Sequence, residues 1–320
     1  MGCGYLFVVQ QGLPKLLYEN NVDEVCDEDF PKVLEQLKKR LMDFGIYADI
    51  EVLTNANVTT FHPSKNILLT DHYTSSAVIK ELQKINLTTR LDLTKDTFRN
   101  EGHSLQLYSI SHSLVIYDKM ADLKKPKGRA IDKDSTFKQQ SLFDNLETKK
   151  ALEILRIEVR LSKKVKMNSV LEKYGYKANP TFVDIFQTAL CQKIVRQYWK
   201  ELVINHNMHI FSMKVTPQKL LERLRQAYPR ANTQALINLV GLHQLCNDTG
   251  GVRGLRNIVT SSQSDRTWYR LLSDIKKLDV IHSPSDHHSW VKQIDTTLRQ
   301  FETFTTESID DQELQTLLKW

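Results

Sequence analysis

The sequence predicts an α+β protein: an N-terminal antiparallel sheet with packed helices, followed by a mostly helical domain. Three observations carry that expectation. Short segments between residues 48 and 161 alternate apolar and polar side chains with the period of a strand. Beyond Lys163 the apolar residues recur at helical spacing over longer stretches. The chain has 320 residues, 41% of them hydrophobic, which is enough apolar material to order a core and commonly divides into two domains. The expected division is an α+β domain over 1–165 and a helical domain over 166–320.

Taken in order, the run Tyr5–Val9 is too short for a signal-peptide core or a membrane span and has no basic leader, so it reads as a first strand. Asp27–Phe44 places Phe30, Val33, Leu34, Leu37, Leu41 and Phe44 on one helical face, with acids at its start and Lys38, Lys39 and Arg40 toward its end. Ala48–Leu53 and Asn66–Thr70 read as strands, and Ser75–Leu82 as a helix. Ser104–Tyr108 and Ser113–Tyr117 form a hairpin around SISH. Leu155–Leu161, LRIEVRL, is a further strand whose charges Arg156, Glu158 and Arg160 share one face. Helices follow at Phe182–Val203, Gln218–Gln226 and Thr233–Cys246, the second opened by a Thr216 cap with Pro217 in its first turn.

A formal charge of +6 and a pI near 8.9 favour a polyanionic partner. The four cysteines are far apart and form no ligand cluster, which fits a reducing, cytoplasmic or otherwise intracellular compartment, with no membrane partner. Gly250, Gly251 and Gly254 are not followed by the Gly-Lys-Ser/Thr of a P-loop, so ATP binding has no support.

Two basic regions are candidates for DNA. Lys119, Lys124, Lys125, Lys127 and Arg129 fall within eleven positions at the start of a polar segment, either a solvated loop or a phosphate contact. Residues 250–281 hold a short helix, a polar turn and a longer helix that would bury Trp268, Leu271, Leu272 and Ile275 and expose Arg266, Arg270, Lys276 and Lys277. This is a helix-turn-helix candidate, although a generic helical hairpin gives the same pattern. The acidic stretch Glu302–Glu313 should avoid the DNA path.

For chemistry, Tyr117 ends the second hairpin strand and Lys119 follows two residues later. A phenolic oxygen can attack phosphorus where charge on the phosphate is neutralised. The spacing alone also fits a structural strand-end tyrosine beside an exposed lysine, and the Arg156–Glu158–Arg160 row also fits an exposed ion-pair ladder.

The segments NVTTFHPSKNI (57–67), GHSLQLYSISHSLVIYDKMADLK (102–124) and ILRIEVRL (154–161), in this order and spacing, resemble the replication initiators of filamentous phages and related phage or plasmid proteins. The resemblance covers roughly residues 45–200. It implies a rolling-circle replication initiator with a nuclease-like fold. Such an enzyme is a metal-dependent single-strand endonuclease and strand transferase that forms a 5′-phosphotyrosyl link at its origin. It implies Tyr117 as nucleophile and Lys119 beside the phosphate, with Asp122 in the following turn. Glu158 falls on the metal-ligating glutamate of an Arg-aliphatic-Glu strand. His62 stands where relatives carry Asp, which leaves open whether the divalent ion is Mg²⁺ or Mn²⁺. The paired-histidine motif of wider relatives is missing, with His103 and His112 as spatial substitutes at most. The expected partners are single-stranded or supercoiled origin DNA and host replication proteins. Tyr108 and Tyr73 are the rival nucleophiles, and a non-catalytic DNA-binding regulator is the rival function.

Overall fold

The computed structural model describes residues 8–84, 92–99, 102–124, 152–201, 215–262, 265–278 and 288–306. Its centre is an antiparallel sheet of five strands, β1 (Ser64–Leu68), β2 (Asp92–Arg99), β3 (Ser104–Tyr108), β4 (His112–Asp118) and β5 (Ile154–Leu161), in the spatial order β1-β5-β4-β3-β2. The hairpin and the LRIEVRL strand lie where their alternation places them. β5 is central, paired with β1 on one side and β4 on the other. Strand β2, with its sequence DLTKDTFR, carries no period-two apolar signal and is not predicted by the sequence. It completes the sheet by pairing with β3, through a register irregularity between Asp92 and Thr97.

The helices before and within the sheet are α1 (Leu13–Tyr18), a 3₁₀ turn (Asp27–Asp29), α2 (Phe30–Asp43), α3 (Ile50–Thr54), α4 (Ser75–Leu82) and α5 (Lys119–Lys124). After β5 come α6 (Lys164–Lys173), α7 (Phe182–Ile185), α8 (Thr188–Trp199), α9 (Pro217–Ala227), α10 (Thr233–Asp248), α11 (Val252–Ser262), α12 (Asp265–Lys277) and α13 (Ser289–Gln300). As expected, the Thr216 hydroxyl caps α9 by accepting from the Lys219 N–H at 3.4 Å, with Pro217 in the first turn.

Three expectations need correction. Ala48–Leu53 is not a strand: Asp49 leaves the chain in an extended N-cap conformation and Ile50–Thr54 closes a helical turn. Ile50 and Leu53, three apart, then pack with Leu34, Leu41 and Phe182, a contact available to a helix face and not to an alternating strand. Of the N-terminal apolar run, Val8 and Val9 are exposed and outside any strand, while residues 1–7 lie outside the described residues. Phe182–Val203 is not one helix. Phe186 leaves helical geometry to set its ring against Phe30 and Phe182, with centroids 4.8 and 5.9 Å away. The chain restarts at Thr188, whose N–H and hydroxyl donate to the Asp27 carboxylate at 2.6 and 2.7 Å.

One face of the sheet is apolar. Ile67, Leu105, Leu107, Leu114, Ile116, Leu155, Ile157, Val159 and Leu161 form a continuous core with α4, α6, α8 and α13, and Trp199, Trp268 and Trp290 belong to the same cluster. All described strands precede residue 165, but the core runs across that point. At the turn into α11, Gly251 (φ +94°) lies so close to Lys84 that a Cβ would sit 2.8 Å from the Lys84 carbonyl oxygen, so only glycine permits this approach.

Edge strand β1 is covered without another strand. The Asn66 N–H donates to the Glu24 carboxylate and the Asn66 side-chain amide to the Val22 carbonyl, each at 2.5 Å. Lys65, 1% exposed, donates to Glu24 at 2.5 Å and to the Glu302 carbonyl, with its ammonium over the Phe301 ring. The Asn66 N–H, an edge group that would otherwise be open to another strand, is thereby occupied.

Candidate active site on the polar face of the sheet

The opposite face carries the charged row. Alternation in β5 sends Leu155, Ile157, Val159 and Leu161 into the core and leaves Arg156, Glu158 and Arg160 on the other side. Register then selects their neighbours. Tyr117 of β4 stands opposite Arg156, Val115 opposite Glu158, and Ser64 of β1 opposite Glu158 from the other side. Tyr117 and Glu158 are diagonal cross-strand neighbours, a separation that long side chains can bridge. They do so: the Tyr117 hydroxyl donates to Glu158 Oε2 at 3.2 Å.

Glu158 is the hub. Arg160 Nε donates to its Oε1 at 2.7 Å, Arg156 Nε stands 3.8 Å from Oε2, and His62 Nδ1 lies 4.0 Å from Oε1. Arg156 is held from behind, donating to Ser64 Oγ at 2.6 Å and to the Asn21 carbonyl at 3.4 Å. Burial alone would raise the Glu158 pKa, but the two guanidiniums outweigh it and hold the carboxyl below its ordinary range. Burial pushes the Tyr117 phenol up, with Glu158 and Asp122 adding to the rise and Arg156 opposing it. His62 is held below its ordinary value by burial, against the pull of Glu158.

The segment Tyr117-Asp118-Lys119 has a local logic. Successive strand residues face opposite ways, so Asp118 turns from the site, and its Oδ1 accepts from the Ala121 N–H at 2.9 Å to start α5. The immediate turn into helix brings Lys119, buried, back over the Tyr117 ring with its Nζ 5.8 Å from the centroid.

His62, Tyr117, Lys119 and Glu158, from three separate stretches of sequence, are thus brought together. His103 and His112 are not part of the group. His103 Nδ1 meets Ser76 Oγ at 2.9 Å and Asp118 Oδ2 at 3.1 Å, and His112 stands opposite Leu161 on the core face, bonded to Ser109 and Ser111. The rival Tyr73 pairs its hydroxyl with His288 at 3.3 Å, and Tyr108 lies at the other end of β3 from the Tyr117 row. Ser64 is a site residue that sequence reasoning misses. It carries no signal, since the sequence places the strand at Asn66–Thr70 while β1 starts two residues earlier, at Ser64.

A divalent ion fits this donor set poorly. Glu158 Oε1, the oxygen nearest His62, already accepts from Arg160, so an ion between them would sit against a guanidinium. Among the described residues, no group of three or more His, Cys, Asp or Glu side chains is placed to hold a metal ion.

Of the basic candidates, Lys124 ends α5, while Lys125, Lys127 and Arg129 lie outside the described residues. Arg266, Arg270, Lys276 and Lys277 are exposed on α12, and Trp268, 1% exposed, is core. Tyr269 is 55% exposed beside Arg270, a position the charge pattern alone does not mark. Lys277 pairs with Asp274 at 2.6 Å. No described helix is long and apolar enough to cross a membrane. Comparison of the chain with protein-family models, curated proteins and solved structures gives no match.

Proposed function

We propose that this protein is a rolling-circle replication initiator, a site-specific DNA-nicking and strand-joining enzyme with Tyr117 as its nucleophile. The observation that carries the reading is the convergence of Tyr117 and Glu158 between Arg156 and Arg160, with His62 and Lys119 alongside. A phenol hydrogen-bonded to a carboxylate and flanked by guanidiniums has what phosphoryl transfer asks of a protein: a nucleophile, a proton acceptor and charge neutralisation.

In the proposed step the Tyr117 oxygen attacks the scissile phosphorus in line and its proton passes to Glu158. The O–P bond to tyrosine forms as the bond from phosphorus to the 3′-oxygen breaks, and that oxygen takes a proton from solvent. The product is a 5′-phosphotyrosyl strand and a free 3′-hydroxyl. Attack by a later 3′-hydroxyl reverses the step and joins the strand.

The helical half supplies affinity in this reading. Helices α11 and α12 follow one another with Trp268 and Ile275 turned inward, which suits a helix-turn-helix whose exposed cations meet the DNA backbone. The test is incubation with circular single-stranded and supercoiled DNA of the protein's own replicon, with Mg²⁺, with Mn²⁺ and with chelator, followed by denaturing detection of protein-linked DNA. A Tyr117-dependent adduct supports the reading. Origin binding without any adduct under all conditions favours a non-catalytic DNA-binding regulator.

A further inference from the structure

We propose that Arg156 and Arg160 form a guanidinium clamp that neutralises one nucleic-acid phosphodiester at Tyr117, taking the place of a divalent ion. The inference rests on the reading of Tyr117 as a phosphoryl-transfer nucleophile and assigns the ligand chemistry of the same site.

Three observations carry it. The first is the charge within 4 Å of Glu158: two guanidiniums against one carboxylate, a surplus of one positive charge. Bringing a divalent cation there raises the surplus to three in a largely buried setting, whereas a phosphodiester, with its single negative charge, brings it to zero. At longer range the negative charges of Asp122 and Glu24 are matched by Lys119 and by Lys65, which pairs with Glu24.

The second is the disposition of donors. Arg160 spends its Nε on Glu158, and its two terminal nitrogens have no hydrogen-bond partner among the described residues. Its side chain is 37% exposed, so those donors are reachable from solvent. A guanidinium with two parallel N–H groups matches two phosphate oxygens, a bidentate geometry that lysine lacks. The third is Arg156 Nε, buried with no hydrogen-bond partner beside the Tyr117–Glu158 pair. A buried N–H left unsatisfied costs about 1–3 kcal/mol, and an acceptor arriving at this site recovers it.

Glu158 is then a positioning residue for Arg160 and the proton acceptor for Tyr117, rather than a metal ligand. Ser64 and the Asn21 carbonyl fix Arg156 so that its plane does not follow solvent. The atoms of the transfer step are unchanged. What changes is the source of charge neutralisation on the non-bridging phosphate oxygens.

The experiment uses the full chain in three arms. In the first, Mn²⁺ is titrated and followed by electron paramagnetic resonance in the wild type and in Glu158→Gln, with identical binding expected. A stoichiometric Mn²⁺ site that Glu158→Gln removes overturns the clamp. In the second, inorganic phosphate should raise the thermal midpoint of the wild type and of a Lys39→Gln/Arg40→Gln control on the exposed face of α2 but not of Arg160→Gln, with Arg160→Lys retaining part of the effect. An equal response in Arg160→Gln also overturns it. In the third, covalent adduct formation should persist in chelator and fall by roughly a hundredfold or more in Arg160→Gln, the scale for losing one preorganised donor. Adduct formation that needs Mg²⁺ or Mn²⁺ and ignores Arg160→Gln sinks the clamp and leaves the nicking reading standing. Arg160-dependent phosphate binding without any adduct does the reverse.

Discussion

The cations of this protein fall into two settings. Around Tyr117, Arg156 and Arg160 are tied to a buried carboxylate and a serine hydroxyl within one sheet. On α12, Arg266, Arg270 and Lys276 project from an exposed helix face, and Lys277 has only an Asp274 three residues away. The difference is one of geometry against reach. Partly buried, hydrogen-bonded guanidiniums hold position and resist screening, which suits a reacting phosphate. Exposed cations are screened within a Debye length of about 8 Å at physiological salt, and they suit a backbone contact that need not be exact to the ångström.

The comparison predicts separable losses. The largest belongs to Tyr117→Phe, which keeps the ring over which Lys119 lies and deletes the atom that would bond phosphorus. Adduct formation should vanish from a denaturing gel while origin binding and the unfolding midpoint stay near wild type. An adduct formed at the wild-type rate would break the assignment, and Tyr108→Phe and Tyr73→Phe would then identify the true nucleophile.

Lys65→Met probes the scaffold that carries the site. It keeps the aliphatic stem but leaves Glu24 without the ammonium that joins it to β1. Breaking a buried pair in this way costs about 3–5 kcal/mol, read as a lower urea midpoint at unchanged slope. Because β1 also positions Ser64 behind Arg156, nicking should fall along with stability. Nicking at the wild-type level in a chain destabilised to this degree would show that the site does not depend on this edge.

On α12, replacing Arg266, Arg270, Lys276 and Lys277 together by Gln should weaken binding to many DNA sequences alike. It should also reduce the slope of log K against log salt by about 0.9 for each phosphate that is no longer neutralised. Saturating DNA should restore adduct formation, since the proposed nucleophile, Tyr117, lies elsewhere. An unchanged slope moves the binding surface away from this helix.

The smallest effect concerns pH. His112 is held down to about 4, from an ordinary value of 6.5, by burial and by the nearby Lys166. The unfolded chain therefore takes up a proton in that interval when the folded chain does not. Stability should fall as pH drops from 6.5 to about 4. His112→Asn should flatten that part of the profile in urea titrations at stepped pH.

Much of the sheet was legible because its strands obey a strict period. LRIEVRL announces both faces of β5, and the hairpin either side of SISH announces β3 and β4. The helices α9 to α12 were legible from their helical spacing, reinforced at α9 by Thr216 and Pro217, whereas α13 was not predicted. The strand β2 was not, since DLTKDTFR has no apolar alternation and is recruited by the free edge of β3. Nor was α3, where the contact of Ile50 and Leu53 with α2 outweighs the β-branched pattern of Ile50 and Val52.

The sequence by itself determined which residues could share a face, since side-chain direction in a strand is fixed by backbone geometry: Arg156, Glu158 and Arg160 on one side, their apolar neighbours on the other. It could not determine what stands opposite them. Only the pairing of β5 with β4 and β1 brings Tyr117, Ser64 and His62 to Glu158, because register depends on which edges find each other and not on any local period. The same pairing decides how the glutamate is used. One oxygen accepts from the Arg160 guanidinium on its own strand and the other from a phenol on the next, with Arg156 3.8 Å away, so the residue that the resemblance marks as a metal ligand is hydrogen-bonded in the fold within a cationic row.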